Sequence, residues 1–215
     1  AALKAYDIKL LGGDTVAAPN QAMFSLTLIG EVASGGMVQR GGAKIGDDIF
    51  VTGTIGHGFI GLEDAKAERS SPCRDLFEYP QPPLAFALVA ASYMSAAVDV
   101  SDGLAADLGH ICKASVCGMQ IDLPAIPFAD PASKNLLAQL NGGDDYQLAF
   151  TAASENHDKL KQLAAEQSIQ LSKIGHITDG SDLILLNSDG LTLDYSSTGT
   201  SQELPSGFSH FGMKK

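Results

Sequence analysis

The stretch "AAVDVSDGLAADLGH" (residues 96–110) constrains the chain more than any other. A short apolar strand, Val98-Asp99-Val100, runs into Ser101-Asp102-Gly103, and from Leu104 to Ala114 the apolar spacing turns helical. A strand feeding a helix through a tight glycine turn belongs to layered folds of mixed α and β structure. Asp99 and Asp102 share that turn. Carboxylates this close repel each other unless a cation, a helix N-terminus or solvent offsets them. Asp102, near the helix start, also suits the helix dipole.

Strands and helices alternate around this unit. Ala1 to Tyr6 reads as the end of a helix, Ile8 to Leu11 as a short buried strand, and residues 22–32 as an alternating strand. A strand is expected over Asp48 to Thr52, with helices over 57–68 and 84–95 separated by the breaker "YPQPP". Further on come a strand over 119–123 and a helix over 130–140 with Asp130 as its N-cap. A strand over 146–152, a helix from His157 to Glu166 and a strand over 168–178 follow. A hairpin turning at Asp189-Gly190 closes the series. The pattern predicts an α+β (mixed α/β) fold.

Charge narrows the function. Twenty-five acidic residues against 14 basic ones leave a net charge of −11 among 215 residues. Nucleic acid and anionic membrane both need a basic surface, so neither is an expected partner. A polyanionic small substrate would be repelled as well, unless metal ions sit between it and the protein. No apolar run approaches the roughly 20 residues of a membrane span, and no signal-peptide pattern opens the chain. Cys73, Cys112 and Cys117, odd in number and without a CxxC spacing, read as reduced thiols of a cytoplasmic protein.

Four stretches place acid, glycine and small polar residues at the end of an apolar strand. They are Gly12-Gly13-Asp14-Thr15, Thr52-Gly53-Thr54-Ile55-Gly56, Asp99 to Gly103, and Gly142-Gly143-Asp144-Asp145. Strand ends are where ligands collect, glycine lets backbone approach a phosphate, and aspartate oxygens suit magnesium. No Walker A loop occurs. Singly, each stretch is ordinary turn chemistry.

Their order carries more. "LLGGDT", "RGGAKIGDDIFVTGTIG", "VDVSDGLAADLGHI", "NGGDDYQLAFT" and "GFSHF" follow one another as in the thiamine-monophosphate kinases, and the chain resembles that family along essentially its whole length. The family belongs to the superfamily of aminoimidazole ribonucleotide synthetase, selenophosphate synthetase and a hydrogenase maturation factor. The resemblance implies transfer of the γ-phosphoryl group of ATP to thiamine monophosphate, giving thiamine diphosphate, with Mg2+ neutralising the phosphates. It assigns metal binding to Asp14, Asp99 and Asp102. Nucleotide contacts fall to Gly13, Asp14, Arg40 and Ser101, with the Arg40 fork suited to phosphate. Asp144 stands where the family usually carries glutamate facing the substrate, and Phe208 where an aromatic ring stacks on thiamine. No catalytic residue is assigned beyond metal-assisted transfer.

The chain also departs from the pattern. Asp144 is one methylene short, Asn141 replaces a common serine, and Tyr79 and Pro83 stand where arginines often flank the motif. Family members carry a further module before Gly-Gly-Asp-Thr, implied to hold more metal-binding aspartates and most of a homodimer interface. The expected division is therefore 1–32, a remnant of an N-terminal ATP and metal domain, and 33–215, an aminoimidazole ribonucleotide synthetase-like C-terminal domain. Such a fragment is expected to turn over little alone. It should also self-associate through apolar residues at 8–11 and 24–29. Two other readings stand beside the kinase: a non-catalytic truncated paralogue used for binding or dimerisation, and another ATP-dependent enzyme of the superfamily.

Overall fold

The computed structural model of the chain describes residues 2–17 and 19–195. Phe208 and the closing Gly-Phe-Ser-His-Phe lie outside them. The chain divides into two units, 1–32 and 33–215.

In the first unit a single turn of helix, α1 (Ala2–Ala5), precedes irregular chain. Residues 8–11 and 22–32, expected as strands, contain none, and their apolar side chains are exposed, Leu11 at 83% and Phe24 at 94%. Alternation alone does not make a strand. Its N–H and C=O groups need a neighbouring strand to pair with, and among the described residues of this unit none exists.

The second unit is built on seven strands. They are β1 (Asp48–Thr52), β2 (Ala96–Asp99), β3 (Gly118–Asp122), β4 (Leu148–Ala152), β5 (Leu171–Thr178), β6 (Leu183–Leu186) and β7 (Thr192–Tyr195). They form one mixed sheet in the order β2-β4-β1-β5-β3-β6-β7. Every neighbouring pair is antiparallel except β3 with β6. The helices are α2 (His57–Lys66), α3 (Pro72–Glu78), α4 (Leu84–Ala90), α5 (Leu104–Ser115), α6 (Leu136–Asn141) and α7 (His157–Glu166).

Both faces of the sheet are covered, which explains why β1 is buried at every position. Ile49 and Val51 point to a core that includes Leu104, Leu108 and Ile111 of α5. Phe50, on the other face, packs with Phe86 of α4, Phe150 of β4 and Leu160 of α7. The Phe50 and Phe150 rings stack at 5.3 Å between centroids. The sheet is thus the middle of three layers.

Three helices differ from the sequence reading: α4, expected over 84–95, ends at Ala90 and tightens into a 3-10 turn over Ala91–Tyr93. The helix expected over 130–140 starts only at Leu136, because the Asp130 carboxylate accepts from Ala132 N at 3.2 Å and makes a local turn instead of a cap. Helix α3 was unforeseen, although Ser71, whose hydroxyl accepts from Arg74 N at 3.1 Å, followed by Pro72 at its first position, is a recognisable start signal.

Candidate active site

Topology decides which motifs meet. Both β1 and β2 run antiparallel to β4, which lies between them. The C-terminal ends of β1 and β2 therefore share one edge of the sheet with the N-terminal end of β4. Three of the four glycine-rich stretches hang from these ends: residues 53–58 after β1, 100–103 after β2, and 141–147 before β4.

Main-chain bonds join them. Asp144 N donates to Ser101 O at 3.0 Å, Tyr146 N to Val100 O at 2.8 Å, and Val100 N to Gln147 O at 2.8 Å. The approach is close enough to demand glycine: a Cβ on Gly143 would sit 2.4 Å from Ser101 O, and one on Gly58 2.3 Å from Gly143 O. Thr52, at the end of β1, donates its hydroxyl to Gln147 Oε1 at 2.9 Å and accepts from Leu148 N at 2.9 Å.

Two buried aspartates brace the cluster from beneath. Asp107, in the first turn of α5, accepts with Oδ2 from Ser101 N at 2.9 Å and from Asp102 N at 3.0 Å. Burial pushes its carboxyl up, the two amides oppose this, and the charges of Asp102 and Asp99 add to the rise. Asp145 accepts from Gly56 N at 2.8 Å and Gly58 N at 2.9 Å, holding the start of α2. Burial raises its carboxyl too, against the pull of those amides and of His57. His57 Nδ1 lies 3.0 Å from Thr54 O and 3.3 Å from Asp145 Oδ1. Both are acceptors, so this nitrogen carries the proton.

Above the braces stand the acids facing solvent. Asp99 is exposed, and Ser101, Asp102 and Asp144 are half-buried. Asp144 and Tyr146 both adopt left-handed backbone, at φ 56° and 49°, and the Tyr146 hydroxyl donates to Asp144 Oδ1 at 3.1 Å. Burial raises the Tyr146 phenol, as do its bond to Asp144 and the nearby charges of Asp144, Asp99 and Asp102. Among the described residues no lysine or arginine pairs with these three aspartates. Asp102, Asp107 and His110 each offer a donor atom within 4.8 Å of the others. The hard oxygens of Asp99 and Asp102, with no lysine or arginine partner among the described residues, fit magnesium, while the His110 nitrogen suits it less.

The sequence-derived residues are thus only partly gathered. Asp99, Ser101, Asp102 and Asp144 share the cluster. Arg40 does not: its carbonyl accepts from Ser115 Oγ at 3.3 Å, at the far end of α5, about 17 Å along the helix from Leu104. Gly13 and Asp14 lie exposed in the first unit, where Asp14 Oδ1 accepts from Thr15 N at 2.7 Å. Sequence reasoning missed the braces. Asp107 could have been found as an acid in a first helical turn, whereas Asp145 caps a helix 89 residues away and leaves no local signal.

One end of the mixed sheet thus gathers glycine loops and, among the described residues, acids with no lysine or arginine partner. The chain belongs to the family described as AIR synthase related protein, C-terminal domain, whose match covers residues 44–186. It is similar to thiamine-monophosphate kinases: that of Escherichia coli (strain K12) is 36% identical over 210 residues, covering 90% of this chain and 63% of the relative. The crystal structure of thiamine-monophosphate kinase from Stenotrophomonas maltophilia K279a matches with a TM-score of 0.68 and 32% identity, over 75% of this chain and 56% of that one. AaThiL complexed with AMPPCP and TMP matches at 0.64 and 26%, over 81% and 54%. The chain therefore spans less than two thirds of the length of these relatives. No helix among the described residues is long and apolar enough to cross a membrane.

Proposed function

We propose that the chain serves ATP-dependent phosphorylation of thiamine monophosphate to thiamine diphosphate, with ATP bound through Mg2+ at Asp99 and Asp102. The observation that carries this is the meeting of the 53–58, 100–103 and 141–147 loops at one sheet edge, in a chain similar to thiamine-monophosphate kinases. Bound magnesium would supply charge neutralisation between the acids and the polyphosphate.

The residues divide the remaining work. Asp99 and Asp102 present oxygens from a loop whose amides Asp107 fixes. Ser101 lies between them, next to the nucleotide. Asp144, oriented by the Tyr146 hydroxyl, faces the acceptor. In the transfer, the bond between the γ-phosphorus and its bridging oxygen breaks, ADP leaves, and an acceptor phosphate oxygen bonds to phosphorus. That oxygen already belongs to an anion near neutral pH, its second pKa being about 6, so no general base is required. Positioning and charge neutralisation suffice. For Gly13, Asp14, Arg40 and Phe208 the reading rests on the resemblance alone. A cytoplasmic, homodimeric setting belongs to the same proposal.

The test measures binding of a non-hydrolysable ATP analogue by calorimetry, and thiamine diphosphate formation from labelled ATP, each with and without magnesium. Magnesium-dependent binding, lost in Asp99→Asn and Asp102→Asn, is the expected result, with thiamine diphosphate formed slowly or not at all by this chain alone and only when magnesium is present. Absence of both, or either persisting without magnesium, would overturn the reading.

A further inference from the structure

Helix α2 is capped in an unusual way. Its N-cap residue, Gly56, is left-handed at φ 95° and offers no side chain. A serine or threonine there would cap the helix locally. The cap comes instead from Asp145, a carboxylate with only 1% exposure, 89 residues downstream. Burying a carboxylate to satisfy two amides is a costly way to stabilise a helix. What the distant cap adds is a fixed distance between α2 and the 141–147 loop.

That loop is under conformational stress. Asp144 and Tyr146, on either side of Asp145, hold left-handed backbone, a region that few non-glycine residues occupy. Such backbone persists only where the surroundings dictate it. Here Ser101 O and Val100 O take the amides of residues 144 and 146, while the start of α2 takes the side chain of residue 145. The alternation turns Asp145 inward, against His57 (3% exposed), and leaves Asp144 and Tyr146 toward solvent with Asp99 and Asp102. His57 Nδ1–H, shared between Thr54 O and Asp145 Oδ1, locks the carboxylate onto the 53–58 loop.

We propose that Asp145 and His57 are a positioning pair that sets the placement of Asp144 and Tyr146 for the phosphoryl acceptor. The proposal rests on the kinase reading for its substrate, but not for its geometry. A merely structural cap would lower stability and the yield of active protein, leaving both Michaelis constants unchanged. A positioning pair separates them. In Asp145→Ala and His57→Ala the KM for thiamine monophosphate is expected to rise at least about tenfold while that for ATP stays within about twofold. His57→Asn, whose side-chain amide can replace the Nδ1–H donor, is expected to restore the acceptor KM, and Asp145→Asn to restore it in part.

Hydrogen exchange supplies a readout independent of turnover. The amides of Gly56, Gly58, Asp144 and Tyr146 should all exchange at least about tenfold faster in His57→Ala than in the wild type, with β1 and β4 unaffected. If the wild-type chain transfers no phosphoryl group, exchange at residues 144 and 146 alone decides the proposal. Loosening confined to Gly56 and Gly58, or an acceptor KM that does not move in folded variants, would overturn it. Should Asp145→Ala fail to fold, the His57→Ala and His57→Asn pair carries the same test.

Discussion

Replacing Gly58 with alanine should damage the site far more than the fold. The new methyl would lie 2.3 Å from Gly143 O and 2.7 Å from the carbonyl carbon and oxygen of Asp144. All three are main-chain atoms, so no side chain can swing away. Restoring ordinary contact requires the 141–147 loop to retreat from α2 by about 1 Å. Overpacking of this size costs about 1–3 kcal/mol. Alanine in a helix returns about 1 kcal/mol relative to glycine, so the net loss in urea denaturation should be about 0–2 kcal/mol. Turnover should suffer more, since a displacement of about 1 Å in positioning groups can cost about a hundredfold in rate. Gly109→Ala is the control: on α5 its methyl would meet nothing within 4 Å, and stability should rise by about 0.5–1 kcal/mol. Wild-type acceptor kinetics in Gly58→Ala, with stability at or above wild type, would refute the packing argument.

Three further outcomes are expected. Asp107→Ala strands two amides and should cost about 2–4 kcal/mol in denaturant unfolding, whereas Asp107→Asn, whose oxygen can accept from both, should cost under about 1 kcal/mol. Burial would raise the Asp48 carboxyl, but Lys173 Nζ at 2.7 Å, Ser154 Oγ at 3.1 Å and His157 together hold it below the ordinary aspartate value. Its stabilisation is therefore complete above about pH 4 and fades as pH falls through the lowered pKa, so Asp48→Asn should be less stable by about 1–2 kcal/mol at pH 7 and lose less than wild type on acidification. Tyr146→Phe frees the Asp144 carboxylate, and steady-state kinetics should show a raised acceptor KM with stability within about 1 kcal/mol of wild type.

What the sequence made legible is what local chemistry encodes. The turn at Gly103 and the helix after it, the strand from Asp48 to Thr52, and the Asp189-Gly190 hairpin all follow from residues near one another. The kinship was legible too, because short loops at strand ends kept their order. Strand order was not, and it is the order β2-β4-β1 that gathers three of the loops while leaving Arg40 at the other end of α5. The apolar alternation of residues 22–32 pointed to a strand, yet pairing partners decide that, and alternation does not reveal them. Asp145 was read as a turn residue beside Asp144, and only the distant amides of Gly56 and Gly58 give it its work.

The place of β1 has a kinetic consequence. Asp48 opposes Ala152 on one side and His176 on the other, so the strand finds neighbours only after most of the second unit has left the ribosome. Contacts this distant in sequence make for slow folding. Because the 53–58 and 141–147 loops hang from β1 and β4, they can meet only when that pairing is complete. Until then Gly56 and Gly58 have no cap and the acids have no common edge. Recovery of ligand binding during refolding should coincide with the slowest phase seen for the sheet, and no partly folded species should bind ligand ahead of it.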